Sequence, residues 1–166
     1  MEATTIIWAT DGSDLADRAL EFVHDLAQNW TTPPRIVAVH VDQRWSGREM
    51  NVSKLAGEED LETKIQAQVQ ALEHEGFETG FELRRSHRME DESALIASVA
   101  AELEAQLIVV GTRGQGRVAG ALFGSVAQGL LHSAPCPVLV VPPAAGKEDK
   151  AAPAGLRTGV GSGVSA

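Results

Sequence analysis

The sequence predicts an α/β domain in which a five-stranded parallel sheet is covered by helices on both faces. Short apolar runs alternate along the chain with amphipathic stretches of helical periodicity. Alternation of this kind is typical of parallel sheets whose strands are joined by crossover helices. The length of 166 residues suits one domain with a sizeable core rather than two domains.

Five apolar runs are predicted to be strands, and their chemistry indicates where each strand lies. They are Thr5–Thr10, Ile36–Val41, Phe77–Arg85, Leu107–Val110 and Val138–Val141. The first, second and fourth are almost continuously apolar, as expected of strands buried on both faces, whereas the third alternates between apolar and charged residues and belongs on an open edge. Right-handed crossovers allow the strand order 3-2-1-4-5, which makes this a doubly wound sheet.

The fifth strand, Val138–Val141, lies on the opposite edge in this order, although it is apolar throughout. An apolar edge strand invites pairing with another chain. The sequence therefore favours a homodimer formed through Val138–Val141. The alternative is that a helix or the C-terminal tail covers this edge.

Four apolar stripes between the strands predict four helices. The stripes are Leu15, Ala19, Phe22, Val23 and Leu26; Leu61, Ile65, Val69 and Leu72; Ile96, Val99, Ala100 and Leu103; and Val126, Ala127, Leu130 and Leu131. Residues 42–56 have no clear periodicity and are expected to form a long connection. From Ala144 onward apolar side chains are almost absent, so residues 1–143 are predicted to form the domain and residues 144–166 a disordered tail.

The net charge of −9 argues against nucleic acid and anionic membranes as partners, because the domain as a whole repels a phosphate backbone. Any phosphate site must then be local. The single cysteine, Cys136, excludes an internal disulfide and fits a reducing compartment. It lies between Pro135 and Pro137 before an apolar run, which favours a buried structural thiol. No signal peptide or membrane-spanning run is recognisable, so a cytoplasmic location is predicted.

The glycine-rich segment from Gly111 to Ser125 carries the strongest functional signal. It follows the fourth strand and precedes the fourth helix. Glycines allow backbone amides to approach an anion closely, and a helix N-terminus directs unpaired N–H groups and a positive dipole end at it. The segment therefore predicts a site for a polyphosphate, with the Ser125 hydroxyl as an additional donor.

Two common phosphate motifs do not explain this segment. The P-loop requires glycine, lysine and a hydroxyl residue in succession, and the sequence has no such tripeptide. Residues 114–119 match the dinucleotide pattern, but they follow the fourth strand rather than the first. The acidic residue expected about 20 positions later is also missing.

A second element lies where the first strand ends, at Thr10, Asp11 and Gly12. In the predicted strand order the chain reverses direction between strands one and four, and ligands bind in the crevice at that point. Asp11 is therefore predicted to accept hydrogen bonds from ribose hydroxyls. Ser13 is predicted to cap the first helix, and Trp8 to pack in the core.

These motifs resemble the ATP-binding branch of the universal stress protein family. Its signature is glycine, two residues, glycine, nine residues and then glycine-serine, which Gly111, Gly114, Gly124 and Ser125 match without a gap. The first strand that leads into Asp11, the pair His40 and Val41, and the proline-rich turn before the last strand are also similar to the family. The resemblance covers residues 3–142.

The resemblance implies a set of nucleotide contacts. Val41 would contact adenine through its backbone, Asp11 the ribose, and residues near the fourth helix the phosphates. Arg113 has two open interpretations, a phosphate ligand or a solvated loop charge. The implied site comprises Ala9, Thr10, Asp11, Val41, Val110, Gly111, Arg113, Gly114, Gly124, Ser125 and Val126.

The function implied is that of a cytoplasmic stress-response dimer that binds ATP and signals its presence to a protein partner. Any Mg²⁺ would be carried by the ATP oxygens, and no histidine is assigned as a metal ligand. An enzyme that slowly hydrolyses ATP or phosphorylates its own Ser125 is the alternative. Slow turnover is expected because residues 111–126 contain neither a carboxylate nor a lysine.

Overall fold

The computed structural model describes residues 4–43, 52–86, 90–112 and 123–144, with the backbone alone for 52–56. These residues form one parallel sheet of five strands in the order 3-2-1-4-5. The predicted fold class and strand order are therefore confirmed. The predicted tail lies outside the described residues except for Ala144, and its disorder remains a prediction.

The strands are β1 (Thr5–Ala9), β2 (Arg35–Asp42), β3 (Thr79–Arg85), β4 (Leu107–Gly111) and β5 (Val138–Val141). β1 is buried along its whole length, and β2 and β4 are buried except at their first residues. The side chains of β3 are half-buried up to Arg84, in agreement with its place on an open edge. β5 forms the other edge, and of its residues Val141 is buried.

The helices are α1 (Asp14–Gln28), α2 (Val52–His74), α3 (Glu92–Glu102) and α4 (Ser125–Ser133). α2 begins at Val52, so the last five residues of the predicted connection 42–56 are helical instead. Their sequence shows no apolar stripe, but helical propensity is a weak signal that neighbouring structure overrides. Within the described residues no helix is both long enough and apolar enough to cross a membrane.

Two apolar clusters lie on the two faces of the sheet. Helices α1 and α2 pack on one face through Ala19, Val23, Ile65 and other side chains, and Trp8 is fully buried there. Helices α3 and α4 pack on the other face through residues such as Ile96 and Leu130. Successive side chains of a strand point to opposite faces. Because the interior strands serve both clusters, they are apolar without alternation.

Two residues of the predicted stripes are exposed. Phe22 of α1 is 39% exposed, and the guanidinium of Arg18 lies 5.4 Å from its ring centroid. Leu131 of α4 is 51% exposed. Each lies one position from a fully buried residue, Val23 and Leu130 respectively. One step along a helix turns the side chain by about 100°, so both point away from the sheet.

Candidate functional site

A cavity of about 370 Å³ opens at the carboxyl ends of β1, β2 and β4. It lies where β1 and β4 are neighbours although their connections leave in opposite directions, which is the usual ligand position in a doubly wound sheet. Its volume is within the range of small-molecule pockets. Side chains and backbone from all four helices also contribute to its wall.

The turn from β1 to α1 forms one wall of the cavity through Thr10 and Asp11. The hydroxyl of Thr10 accepts a hydrogen bond from the N–H of Gly12 at 3.1 Å, and Asp11 Oδ1 accepts one from the N–H of Ser13 at 3.0 Å. Gly12 has a φ of +73°, a conformation that favours glycine. Ser13 accepts a hydrogen bond from the N–H of Ala16, which confirms it as the cap of α1.

The N-terminus of α4 forms the facing wall. Its N-cap residue is Gly124, and among the described residues no side chain caps this helix end. Gly124 donates its N–H to the Thr112 carbonyl at 2.6 Å, which ties the start of α4 to the residue after β4. The first-turn residues Ser125, Val126 and Ala127 line the cavity. This wall therefore has the polarity that favours an anion.

Gly111 and Thr112, at the end of β4, have different roles in the site. Gly111 belongs to β4 and pairs with Val141, so it is not in the loop where the sequence had placed it. A Cβ on Gly111 would lie 3.1 Å from both Cβ and the carbonyl oxygen of Leu15, so this glycine allows α1 to pack closely. Thr112 lines the cavity, is 8% exposed, and its hydroxyl has no hydrogen-bond partner among the described residues.

The cavity also contains a carboxyl group that the sequence analysis did not identify. Glu92, the first residue of α3, accepts a hydrogen bond from Gln43 Nε2 at 2.6 Å. Burial raises the pKa of this carboxyl above its ordinary value of 4.5; the Gln43 bond opposes the rise, and the charge of Asp11 adds to it. Glu92 and Asp11 thus make this side of the cavity electronegative.

Replacing Glu92 with glutamine is expected to stabilise the protein more at neutral than at acidic pH. A carboxyl with a raised folded-state pKa contributes stability below pH 4.5, and the protein loses this contribution as the pH rises through the folded value. Glutamine keeps an acceptor for Gln43 and does not titrate. We expect Tm to rise by about 1–2 °C at pH 7 and to change less near pH 4. Equal shifts at both pH values would contradict this electrostatic origin.

His40 is the second residue whose role sequence reasoning missed. Its Nδ1 lies 2.9 Å from the Thr10 carbonyl oxygen, and its Nε2 lies 2.6 Å from Glu58 Oε1. The His40 side chain is 5% exposed. A signal was present, because a histidine between Val39 and Val41 interrupts an otherwise apolar strand. Its partner Glu58 gave none, since it lies among other acidic residues of α2.

Carboxylates cluster beside this histidine. Oxygen atoms of Asp42, Glu58 and Glu62 all lie within 4.8 Å of one another, and Asp42 is fully buried. No ion is needed to explain the group, because Glu58 is already bonded to His40.

The predicted site residues converge on this cavity as far as the structure describes them. Nine line it: Ala9, Thr10, Asp11, Val41, Val110, Gly111, Gly124, Ser125 and Val126. Arg113 and Gly114 lie outside the described residues. The nine come from four separate segments of the chain, and none of the nine is placed elsewhere.

Two further predictions concern residues outside the cavity lining. Trp8 is confirmed in the core, where it is fully buried and donates its indole N–H to the Ala16 carbonyl at 2.8 Å. Cys136, expected to be a buried structural thiol, packs against the cluster under α3 and α4 but is only partly buried. Burial nevertheless raises the pKa of Cys136, so its thiol is a weaker acid than usual.

The chain is similar in sequence to one protein family along most of its length. The profile of the Universal stress protein family matches residues 2–142. A universal stress protein of Thermus aquaticus, from the QAH/OAS sulfhydrylase 3' region, is 33% identical over 141 residues, which cover 82% of this chain and 97% of that protein.

Solved structures of the same family share the fold. A universal stress family protein from Burkholderia pseudomallei is 27% identical, with a TM-score of 0.63 over 84% of this chain and 96% of its own. A universal stress protein from Archaeoglobus fulgidus in complex with dAMP is 25% identical, with a TM-score of 0.59 over 84% of this chain and 98% of its own. The family match along residues 2–142 and this shared architecture show that the chain belongs to the universal stress protein family.

Proposed function

We propose that this protein binds ATP in the cavity between β1 and β4, with the phosphates at the N-terminus of α4. One observation carries the proposal. The residues expected to contact a nucleotide come from four separate segments, and the nine described ones line a single cavity. Convergence of this kind places polar groups of several elements around one ligand, as nucleotide sites in doubly wound folds do.

The charges of the cavity support one orientation of the ligand. The α4 end offers backbone N–H groups without a side-chain cap among the described residues, together with the Ser125 hydroxyl. Asp11, Glu58 and Glu92 lie on the other walls and repel a polyphosphate. The phosphates therefore belong at α4, and the sugar and base extend toward β1 and β2. The Thr112 hydroxyl is a further donor for a ligand.

The base is proposed to be adenine. The Archaeoglobus relative, which shares the fold and a quarter of the sequence, is complexed with dAMP. In this chain the backbone of Val41 would contact the base, and Asp11 would accept from the ribose hydroxyls. Ala9 and Thr10 would form the floor. The contacts assigned to Arg113 and Gly114 remain predictions.

ATP binding is tested by calorimetry on the purified protein with and without Mg²⁺. Micromolar affinity, about −8 kcal/mol, is expected. GTP, which differs from ATP only in its base, serves as the control ligand and should bind more weakly than ATP. Mass spectrometry of nucleotide released by denaturation would identify any ligand that co-purifies. A protein that binds neither ATP nor AMP at millimolar concentration would contradict the proposal.

A regulatory role is favoured over catalysis. Fast hydrolysis requires a group that orients the attacking water and a cation near the γ-phosphate. Residues 111–126 supply amides and the Ser125 hydroxyl but neither a carboxylate nor a lysine. We propose a cytoplasmic location for the protein. In this role it acts as a stress-response regulator that signals the presence of bound nucleotide to a protein partner. Phosphate release near 1 s⁻¹ that Ser125→Ala abolishes would instead support the alternative, an ATPase or autophosphorylating enzyme.

We further propose a homodimer formed through β5. This strand is an edge of the sheet, and its residues Val138, Leu139 and Val140 are only partly buried. Val140→Lys is expected to convert the dimer to a monomer, because the introduced ammonium would have to be buried in the interface. Light scattering at tens of micromolar measures the mass, and circular dichroism verifies the fold. A folded Val140→Lys dimer, or a monomeric parent protein, would contradict this interface.

A further inference from the structure

Glu92, the first residue of α3, lines the cavity but is not among the residues that the family resemblance assigns to the nucleotide. One of its carboxyl oxygens, Oε2, accepts a hydrogen bond from Gln43 Nε2 at 2.6 Å. The other, Oε1, has no hydrogen-bond partner in the described part of the chain. The Glu92 side chain therefore has one oxygen held by the protein and one that can accept from a ligand.

This second oxygen, Glu92 Oε1, is accessible from outside the protein. The fully buried side-chain atoms without a partner among the described residues are Arg35 Nε, Gln68 Oε1 and Thr112 Oγ1. Glu92 Oε1 has no partner and is not one of them, so it is not sealed inside the fold. Because Glu92 lines the cavity, a ligand bound there can reach this oxygen. An ionised carboxylate only accepts, so the ligand group that meets it must be a donor.

The backbone that carries Glu92 is anchored by the cap of α3. Asp91 Oδ1 accepts hydrogen bonds from the N–H of Ser93 at 3.0 Å and from its hydroxyl at 2.9 Å. Ser93 is itself buried and lies against Gly129 of α4. With its backbone fixed by the cap and one oxygen fixed by Gln43, the carboxyl is oriented before a ligand arrives. Less conformational freedom is then lost on binding.

The carboxyl of Glu92 lowers the stability of the protein without a ligand. Burial raises its pKa, the Gln43 bond partly opposes the rise, and the charge of Asp11 adds to it. Glu92→Gln is accordingly expected to stabilise the fold at neutral pH. Groups shifted by burial inside a cleft are often functional, and stability is commonly sacrificed at binding sites. A donor on a bound ligand would offset the unfavourable burial of this carboxyl.

The donor that meets Glu92 belongs to the nucleoside part of the ligand. Ionised phosphates carry no donor, are repelled by a carboxylate, and are proposed to lie at α4. Asp11 and His40 both interact electrostatically with Glu92. Asp11 is the proposed ribose contact, and His40 precedes Val41, the proposed base contact. The donors of ATP in this region are the ribose hydroxyls and the adenine amino group, whereas guanine has a carbonyl oxygen in place of that amino group.

We propose that Glu92 determines nucleotide specificity by accepting, through Oε1, a hydrogen bond from a donor of the nucleoside, either a ribose hydroxyl or the adenine amino group. Gln43 is a positioning residue, because it holds the other oxygen. The inference rests on the proposed ATP function and adds to it a residue that recognises the nucleoside. A hydrogen bond to a charged acceptor supports discrimination of about tenfold against a nucleotide that lacks the donor.

Calorimetry on the full chain compares ATP with three analogues that each lack one donor. They are 2′-deoxy-ATP, 3′-deoxy-ATP and purine riboside triphosphate, in which hydrogen replaces the amino group. In Glu92→Ala the preference for ATP over at least one analogue should fall by about tenfold relative to the parent protein. The analogue concerned identifies the donor. The ratio of affinities is the measure, because removal of a negative charge also changes the repulsion of the phosphates.

Glu102→Ala is the matched control for Glu92→Ala. Glu102 belongs to the same helix, but its carboxylate pairs with Arg84 at 2.7 Å, outside the cavity lining. Its three ratios should equal those of the parent protein, and circular dichroism verifies the fold of each variant. Unchanged ratios for all three analogues in folded Glu92→Ala would overturn the inference alone. A parent protein that binds neither ATP nor any analogue would overturn the proposed function together with it.

Gln43→Ala tests the positioning role of Gln43. This variant should lose part of the same preference that Glu92→Ala loses, because the carboxyl is then less well oriented. The double variant Gln43→Ala with Glu92→Ala should match Glu92→Ala alone, since Gln43 acts through Glu92. An unchanged preference in Gln43→Ala, or a further loss in the double variant, would contradict this role.

Discussion

Gly124→Val is expected to lower ATP affinity by about 100-fold, or roughly 2.7 kcal/mol, without unfolding the protein. Gly124 lines the cavity at the N-cap of α4, so a branched side chain would occupy space beside the first-turn amides. Its φ of −72° and ψ of 165° are accessible to valine. The loss therefore reports ligand exclusion rather than backbone strain. Calorimetry with ATP measures it, and an unchanged Tm verifies the fold.

Gly124→Ser places a smaller, polar side chain at the same position and serves as a comparison for Gly124→Val. Serine is a good N-cap residue and would bond the amides that are proposed to bind phosphate. It should raise Tm slightly while lowering ATP affinity less than valine does. ATP affinity unchanged in folded Gly124→Val would show that the phosphates lie elsewhere. Affinity lowered more by serine than by valine would indicate that capping of the helix amides, rather than side-chain bulk, controls binding.

Gly129→Ala is expected to cost about 2–3 kcal/mol of folding free energy and to lower Tm by about 5–10 °C. A Cβ on Gly129 of α4 would lie 2.1 Å from Ser93 Oγ and 2.6 Å from Ser93 Cβ of α3. Ser93 is itself buried and donates its hydroxyl to Asp91, so it has little freedom to move. The two helices would have to separate. Thermal unfolding measures the effect.

A matched glycine is available as the control. Gly57 lies in α2, is exposed, and a Cβ there would meet nothing within 4 Å. Gly57→Ala should stabilise by up to about 1 kcal/mol, because alanine is the better helix former. In the double variant Gly129→Ala with Ser93→Gly, the serine side chain that the new Cβ would meet is removed. The double variant should therefore recover part of the stability that Gly129→Ala loses. Equal effects of the two alanine substitutions would contradict the proposed close approach.

The sequence by itself determined the strand order and the segments that meet at the cavity. Apolar strands buried on both faces and the alternating third strand indicated which strands are central and which lie on the edge. Once β1 and β4 are neighbours in a parallel sheet, their carboxyl ends lie side by side. Asp11, Val110 and Gly124 could therefore be assigned to one site from the sequence alone. The spacing from Gly111 to Ser125 then pointed to the family to which the chain belongs.

The tertiary structure decided which side chains face one another within that framework. His40 meets Glu58, Gln43 meets Glu92, and Gly129 lies against Ser93, over separations of 18, 49 and 36 residues along the chain. Periodicity records which face of an element a residue occupies but carries no information about the residue opposite it on another element. Such polar and close-packed pairs depend on how helices are placed over the sheet. Contacts of this kind therefore appear only when the chain is folded.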